Sequence, residues 1–449
     1  MKILNLSKRE IKDEANKGRI TVGAIGLGYV GLPTALLFAK ANLKVIGRDT
    51  DASKIEKLRK DQIYIFGEKD LGELLHEVQD VFFPTTRIDD LKNADVYILS
   101  VPTLIKQDKT LDLSHVKNAC CDLAPCLSKD DLVIVQSTVP PGTTEGLIKK
   151  ILEKKSKLRA GVDFGLAACP ERANPGTILQ TMRERRRIIG GLDKKSLNAA
   201  SALYSLISRH EPIKAPNVRT AEAVKVVENT LRDVEIAYAN MIALYCEEMK
   251  VNVRTVIDLV NTHPGRKMLK PSAGVGGACI PVNPYFIIQT SEDQYTLMLS
   301  EARKINDYIA SHVAKQVSEW MKEEGVKARP TVLMLGYAYK ANVCDVRFSP
   351  SSKIFDELMK RNIKVSIYDP LTKAVVSDDE KKSFVDDLYE ASRGAHCIIA
   401  TVGHDIFKKL SFSILAKRMS KPLFYDCTFS FKEDTLGSLG FKYKGIGRM

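Results

Sequence analysis

One cysteine, Cys279, stands in the stretch GVGGACIPVNPYF (274–286), crowded by glycine and proline. Gly274, Gly276 and Gly277 let the backbone pass close to another surface, and Pro281 and Pro284 stiffen it afterwards. A thiol held that rigidly has three uses: covalent nucleophile, metal ligand or small buried filler. A second group is Gly26-x-Gly28-x-x-Gly31. Gly26 allows a tight turn, Gly28 lets a pyrophosphate approach the backbone, and Gly31 lets a helix pack on a strand. Asp49, 18 residues past Gly31, can accept hydrogen bonds from a ribose diol and would repel a 2′-phosphate. That prefers NAD to NADP, although Arg48 alongside pulls the other way. Lys225 and Asn229 lie four apart and Arg232 three further, so one helical face carries all three, as a working row or as a solvated polar face. Thr103, Thr138 and Glu171 each follow an apolar run, where a doubly wound sheet keeps its ligand rim. The plain alternative for threonine and proline there is turn formation.

The surrounding pattern supplies elements for these groups. RITVGAIGLGYVGLPTALLFAKANLKVIGRDTD reads as strand, glycine turn, helix and second strand, with Asp49 at the strand end. ADVYILSVPT, DLVIVQSTVPPGTTEG and DFGLAACPERANPG continue the α/β alternation. From about Ala215 to Lys250, apolar residues recur at three- and four-residue spacing with no internal Gly or Pro, predicting one long helix between domains. Its apolar stripe suits a homodimer contact. Near Pro330 an α/β pattern restarts with TVLMLGYAYK, SSKIFDELMKRN, KVSIYDP and AHCIIATVG. The expected class is therefore α/β, two Rossmann-like doubly wound domains joined by a central long-helix domain. The expected boundaries are an N-terminal extension at 1–20, an NAD-binding domain at 21–212, a helical catalytic domain at 213–318 and a C-terminal Rossmann-like domain at 319–449.

With 449 residues the chain is too long for one ordinary core. No apolar run approaches the ~20 residues of a membrane span, and the first twenty residues, MKILNLSKREIKDEANKGRI, lack an apolar signal core and read as a short polar extension. The nine cysteines show neither a CxxC pair nor a Cys/His ligand spacing, so no metal site and no disulfide framework is expected. A cytoplasmic location follows from the same usage. The formal charge of +13 suits small anionic ligands. Its densest run, RERRR (183–187), has no interleaved aromatics and runs into IIGG, so it reads as the solvated edge of a strand, and no nucleic-acid module is visible.

Taken in order, GLGYVGLP, STVPPG, PERANPG, AVKVVENTLR, GVGGACIPVNP and GYAYKANVCDVRFSP resemble the UDP-glucose/GDP-mannose dehydrogenase family, over about residue 20 to the terminal YKGIGR. GVGG-x-CIPV with NTHP and PERANPG is most similar to the branch that oxidises UDP-N-acetylmannosamine or UDP-N-acetylglucosamine at C6. The resemblance implies a four-electron oxidation of a hydroxyl to a carboxylate with NAD, in polysaccharide biosynthesis. Cys279 would be the nucleophile, forming a thiohemiacetal and then a thioester. Lys225 would donate and accept protons and stabilise oxyanions, Asn229 would assist, and Glu171 would orient or activate the hydrolytic water. Gly26, Gly28, Tyr29, Val30, Gly31, Asp49, Lys54, Thr103 and Thr138 would hold NAD, with Arg347 reaching it across the cleft. Arg172, Ala173, Lys225, Asn229, Arg232, His263, Gly276, Tyr339 and Lys340 would contact the UDP-N-acetylhexosamine.

Four positions depart from the family pattern. Asn283 stands where that pattern has Asp, Ala278 where the branch commonly has His, and Cys344 where Asp is usual. In NTHPGRK the expected Arg is Gly265, with Arg266 one place late. Three readings stay open: a working UDP-N-acetylhexosamine dehydrogenase (UDP-N-acetylmannosamine first, UDP-N-acetylglucosamine or UDP-glucose as alternatives), a slow or inactive binder of NAD and a nucleotide sugar, and a dehydrogenase of the wider β-hydroxyacid group. The last has no use for Cys279.

Overall fold

The parallel strands of this chain are short runs of β-branched and small apolar residues, because such strands are covered on both faces and need no polar alternation. Val96–Leu99, Leu132–Val135 and Gly165–Ala168 are buried at every position. The computed structural model describes residues 3–68, 70–327 and 329–448. It divides into two compact units, one running to Glu228 and taking in Tyr285–Thr290, the other holding Asn229–Pro284 and the chain from Ser291 onward.

The first unit is built on β1 (Thr21–Ile25), β2 (Lys44–Arg48), β3 (Phe82–Thr85), β4 (Val96–Leu99), β7 (Leu132–Val135), β8 (Gly165–Ala168), β9 (Ile188–Gly191) and β10 (Ile213–Lys214). Leu104–Ile105 and Leu111–Asp112 form a separate small hairpin, β5 and β6. The sheet order is β10-β9-β8-β7-β4-β1-β2-β3. Neighbours are parallel except β8 and β9. Chain order reverses about β1, which puts a ligand crevice at the end of that strand.

The stretch expected to be a polar extension is a packed part of this unit, apart from Met1 and Lys2, which lie outside the described residues. Helix Lys8–Asn16 starts in a capping box: Ser7 Oγ accepts from Glu10 N at 3.3 Å, and Glu10 Oε2 accepts from Ser7 N at 2.7 Å. Ile3, Ile11 and Ala15 are buried in the core that holds Leu36 and Phe38. Ser7→Ala should cost about 1 kcal/mol. A thermal melt of the first unit's transition should fall by ~2–4 °C; no change would mean the cap is idle.

The second unit has five parallel strands, β11 (Thr331–Leu335), β12 (Lys364–Tyr368), β13 (Cys397–Ala400), β14 (Leu423–Asp426) and β15 (Lys442–Gly445), in the order β12-β11-β13-β14-β15. It thus repeats the doubly wound plan. One face is covered by helix Asp293–Glu323 through Ile309, Val313, Val317 and Met321, with Ala243 and Cys246 of helix Val218–Glu248 in the same core. The predicted long helix is thus present, with Val218–Glu228 in the first unit and the remainder in the second.

Both units use one device at the first strand end. Gly26 follows β1 at φ +89°, and Asp49, after β2, accepts from Leu27 N at 2.9 Å. Gly336 follows β11 at φ +93°, and Asp369, after β12, accepts from Tyr337 N at 2.6 Å. These φ values are ones that only glycine adopts without strain.

Candidate active site

In the first unit, the Gly26–Gly31 turn has the room and the restraint that a diphosphate needs. A Cβ on Gly31 would lie 1.8 Å from the Gly26 oxygen, so close packing of the turn excludes any side chain there. A Cβ on Gly28 would meet nothing within 4 Å, which leaves open space before the backbone. Helix Gly31–Lys40 starts at Val30 with no side chain capping it, and the positive end of its dipole favours an anion. Asp49 Oδ2 accepts from Leu27 N and, at 3.4 Å, from Lys54 Nζ, while Oδ1 accepts from Asp51 N at 3.0 Å. One acceptor position on Oδ1 stays available for a ribose hydroxyl. Tyr29 Oη accepts from Gly176 N at 3.3 Å, and Thr103 and Thr138 sit half-buried beyond β4 and β7. The residues present fit a dinucleotide.

Glu171 follows β8 and is buried. Its Oε1 accepts from Arg172 N at 2.7 Å and Ala173 N at 3.0 Å; its Oε2 accepts from Arg187 Nη1 at 2.7 Å and Gln136 Nε2 at 3.1 Å. Burial pushes this carboxyl up, but the Arg187 charge and the hydrogen bonds more than reverse it and hold it below the usual carboxylate range. Arg187 is the last residue of the RERRR run, and the expectation of a solvated strand edge is corrected here: its side chain is 3 % exposed and its guanidinium lies over the Tyr204 ring at 4.8 Å. The run turns inward because a buried carboxylate needs a counter-charge. Arg172, expected on the sugar, forks onto Glu228, with Nε to Oε2 at 3.1 Å.

Lys225, half-buried on helix Val218–Glu248, lies within electrostatic reach of Glu171. One turn earlier, buried Glu222 accepts from Gly142 N at 2.6 Å and Thr144 N at 2.9 Å. That clamps the helix to the STVPPG loop and fixes where Lys225 emerges. Sequence reading missed Glu222, Gln136 and Arg187, whose partners lie far along the chain.

In the second unit the Cys279 loop is threaded through close contacts. A Cβ on Gly276 would lie 2.6 Å from Tyr339 Cβ and 2.7 Å from the Phe348 oxygen, and one on Gly277 would lie 2.9 Å from the Tyr339 ring. Gly277 N donates to Arg347 O at 2.9 Å. Upstream, Ser272 N donates to Asn240 Oδ1 at 2.9 Å, Asn240 Nδ2 to Asn306 Oδ1 at 3.0 Å, and Asn306 Nδ2 to Asp233 Oδ1 at 2.9 Å. Arg303 Nη1 closes this buried row on Asp233 at 2.6 Å. The three glycines therefore serve close approach, and the thiol they deliver is exposed.

Cys279 O accepts from Val282 N at 3.1 Å and Asn283 N at 2.9 Å. Asn283 is buried, and its Oδ1 accepts from Asn229 Nδ2. The amide at 283 is thus matched to the amide at 229. Arg347 pairs with Asp345, Nη2 to Oδ2 at 2.7 Å. Cys344 is unlike Cys279: burial pushes its thiol up to about 11, and its Sγ contacts Leu371 O at 2.7 Å. Lys340 is exposed. Arg232 is exposed and lies 3.6 Å from Glu235, and exposed His263 has Nδ1 at 2.8 Å from Pro264 O. Among the described residues no His, Cys, Asp and Glu grouping could hold a metal.

Residues 19–208 match the NAD binding domain of the UDP-glucose/GDP-mannose dehydrogenase family, 219–308 its central domain, and 333–433 its UDP binding domain. The chain is 36% identical over 431 residues to a UDP-N-acetyl-D-mannosamine dehydrogenase of Pyrococcus horikoshii, covering 95% of this chain and 99% of that one. It is 34% identical over 412 residues to an NDP-N-acetyl-D-galactosaminuronic acid dehydrogenase of Ralstonia solanacearum, covering 89% and 94%. The solved structure of the UDP-D-ManNAc dehydrogenase from Pyrococcus horikoshii superimposes with a TM-score of 0.88 at 34% identity, over 96% of this chain and 99% of that one.

Proposed function

The chain belongs to the UDP-glucose/GDP-mannose dehydrogenase family, and from that membership we propose that it oxidises the C6 hydroxyl of UDP-N-acetyl-D-mannosamine to the carboxylate. The observation that carries this reading is Cys279, the one exposed thiol of nine, set in a loop too tightly packed to wander. An alcohol-to-aldehyde oxidation has no need of it.

Bound NAD supplies the hydride acceptance, twice per substrate. Asp49 and the Gly26–Gly31 turn hold it. Lys225 takes the C6 hydroxyl proton as the aldehyde forms. The Cys279 thiolate then adds to the aldehyde carbon, and the new oxyanion takes a proton to complete a thiohemiacetal. Loss of hydride and proton from that adduct leaves a thioester. Water adds to the thioester carbonyl, the C–S bond breaks, and the carboxylate leaves with the thiol restored. Asn229 and Asn283 hold one another by their amides and so fix the helix face against the loop that carries Cys279. Tyr339 and Lys340, on the loop after β11, would take the nucleotide.

The nine free cysteines support a reducing, cytoplasmic setting. Leu231, Tyr238, Met241 and Tyr245 form an exposed apolar stripe along the long helix, which supports a homodimer testable by sedimentation. The nucleotide-linked uronate is the activated sugar that polysaccharide biosynthesis consumes.

The test is NADH formed per mole of limiting UDP-N-acetyl-D-mannosamine with NAD in excess. Two equivalents are expected. One would mean that the aldehyde escapes. None, with UDP-N-acetylglucosamine, UDP-glucose and GDP-mannose equally inert, would leave a binder of NAD and nucleotide sugar.

A further inference from the structure

Arg48 is the last residue of β2 and comes directly before Asp49, the acid that sorts NAD from NADP. Side chains alternate along a strand, so Arg48 shares its face with Ile46 and not with Val45 or Gly47. Ile46 packs against the core that holds Leu91, Cys120 and Leu123, on the side of helix Ser114–Leu123. Arg48 turns the same way: its Nη2 donates to Asp122 Oδ2 at 3.0 Å, and its Nε to Thr86 O at 3.4 Å. The Arg48 side chain is 13 % exposed and that of Asp122 42 %, so the acid waits at the surface and the base is drawn to it. Lys54, a second cation at this rim, lies with Nζ 3.4 Å from Asp49 Oδ2. Two more arginines are occupied one strand further out. Arg59 Nε donates to Pro84 O at 3.2 Å, and Arg87 Nε lies 3.7 Å from Asp90 Oδ1. Each of these cations is matched to an acceptor, while Asp49 keeps a site for a ribose hydroxyl.

We propose that Asp122 is a specificity residue for the cofactor: by holding Arg48 on the side of helix Ser114–Leu123, it withholds from a 2′-phosphate the guanidinium next to the ribose acid. A ribose diol needs only an acceptor, whereas a 2′-phosphate carries a charge near −2 and needs a free cation. Neighbouring Cα atoms are about 3.8 Å apart and an arginine stem is longer than that, so a released Arg48 reaches the ribose that Asp49 holds. The choice of NAD then has two parts, repulsion by Asp49 and denial of a counter-charge by Asp122. The pull toward NADP that Arg48 exerts in the bare sequence is cancelled by an acid 74 residues away in the chain. All of this concerns dinucleotide binding, whichever sugar is oxidised.

Calorimetric titration of the purified full-length protein with NAD and with NADP tests this without turnover. Wild type should bind NAD at least about 100-fold more tightly than NADP. Asp122→Ala removes the acceptor and should tighten NADP about 10-fold, with NAD within about 2-fold of wild type. That gain should shrink severalfold between about 0.05 and 0.5 M salt, since it comes from charge. Arg48→Leu combined with Asp122→Ala leaves the pair's net charge at zero, as in wild type, and should return NADP to its wild-type affinity. If Asp122→Ala proves unstable, Asp122→Asn, which keeps an acceptor without the charge, should show a smaller gain. Unchanged NADP affinity in folded Asp122→Ala, or a gain that survives Arg48→Leu, overturns the proposal and leaves the pair as a stitch between β2 and the helix. A wild type that already binds NADP as tightly as NAD overturns it too. Failure to form NADH from UDP-N-acetyl-D-mannosamine, with these titrations as expected, would overturn the substrate reading alone.

Discussion

Replacing Cys279 with alanine removes uronate formation by a factor between about 10³ and 10⁶, the scale on which an enzyme loses a covalent nucleophile. The effect is this large because the second oxidation has no other route. An aldehyde cannot give up hydride until something adds to its carbon, and the adduct must be held where the first oxidation left it. Cys279 is exposed while its backbone is fixed by Gly276 and Gly277 against Tyr339. Serine in its place is a much weaker nucleophile at neutral pH, since a few per cent of a thiol is ionised there and almost none of a hydroxyl. NAD affinity by calorimetry should be unchanged, because the Gly26–Asp49 turn lies in the other unit. NADH yield should fall to at most one equivalent, with an aldehyde that a hydroxylamine probe can trap. Two equivalents at more than about a tenth of the wild-type rate would remove Cys279 from the mechanism and leave the loop without a chemical purpose.

Arg448→Met should destabilise the second unit by about 3–5 kcal/mol, the cost of leaving a buried carboxylate without its partner. Arg448 is 4 % exposed and Asp426 is fully buried at the end of β14. The guanidinium donates to the Asp426 backbone oxygen at 2.6 Å, lies 3.4 Å from its carboxylate, and stacks 4.1 Å over Phe429. Met keeps the length and apolar contact of the stem, so the loss reports the charge. The neighbouring Gly447 N donates to Glu247 Oε1 at 2.8 Å, whose Oε2 lies 2.7 Å from His312 Nε2, so the tail also ties the sheet to both long helices. Urea unfolding should show the loss, and adding Asp426→Asn should return part of it, since the double variant buries no lone charge. A loss under about 1 kcal/mol would mean that the tail undocks without consequence.

Much of the scaffold was legible in the sequence, because its signals are local. The Gly26–Gly31 spacing, the acid at the second strand end and the unbroken periodicity of Val218–Glu248 each fit within one window. Capping box SKRE, with Ile11 and Ala15 on one face of the helix, was equally local, yet the surrounding charges hid it. Arg187 was unreadable for another reason. Nothing in RERRR says which of its arginines turns inward, and Glu171 lies 16 residues away in the chain. The same holds for Asn283, whose partner Asn229 is 54 residues distant. Read alone it is a lost carboxylate; beside Asn229 it is half of a matched amide pair.

The two glycine-turn and aspartate devices differ in what is left over. Asp49 meets three protein donors and keeps an acceptor site. Asp369 meets five: Tyr337 N, Ala338 N, Leu371 N, Thr372 N and His404 Nε2 at 3.2 Å. His404 accepts from Asn342 N at Nδ1, so its other nitrogen carries the proton and points it at the acid. A ribose diol arriving at the second unit finds that receptor already spent. The chain thus carries two look-alike nucleotide folds but only one of them can be mistaken for an adenosine dock.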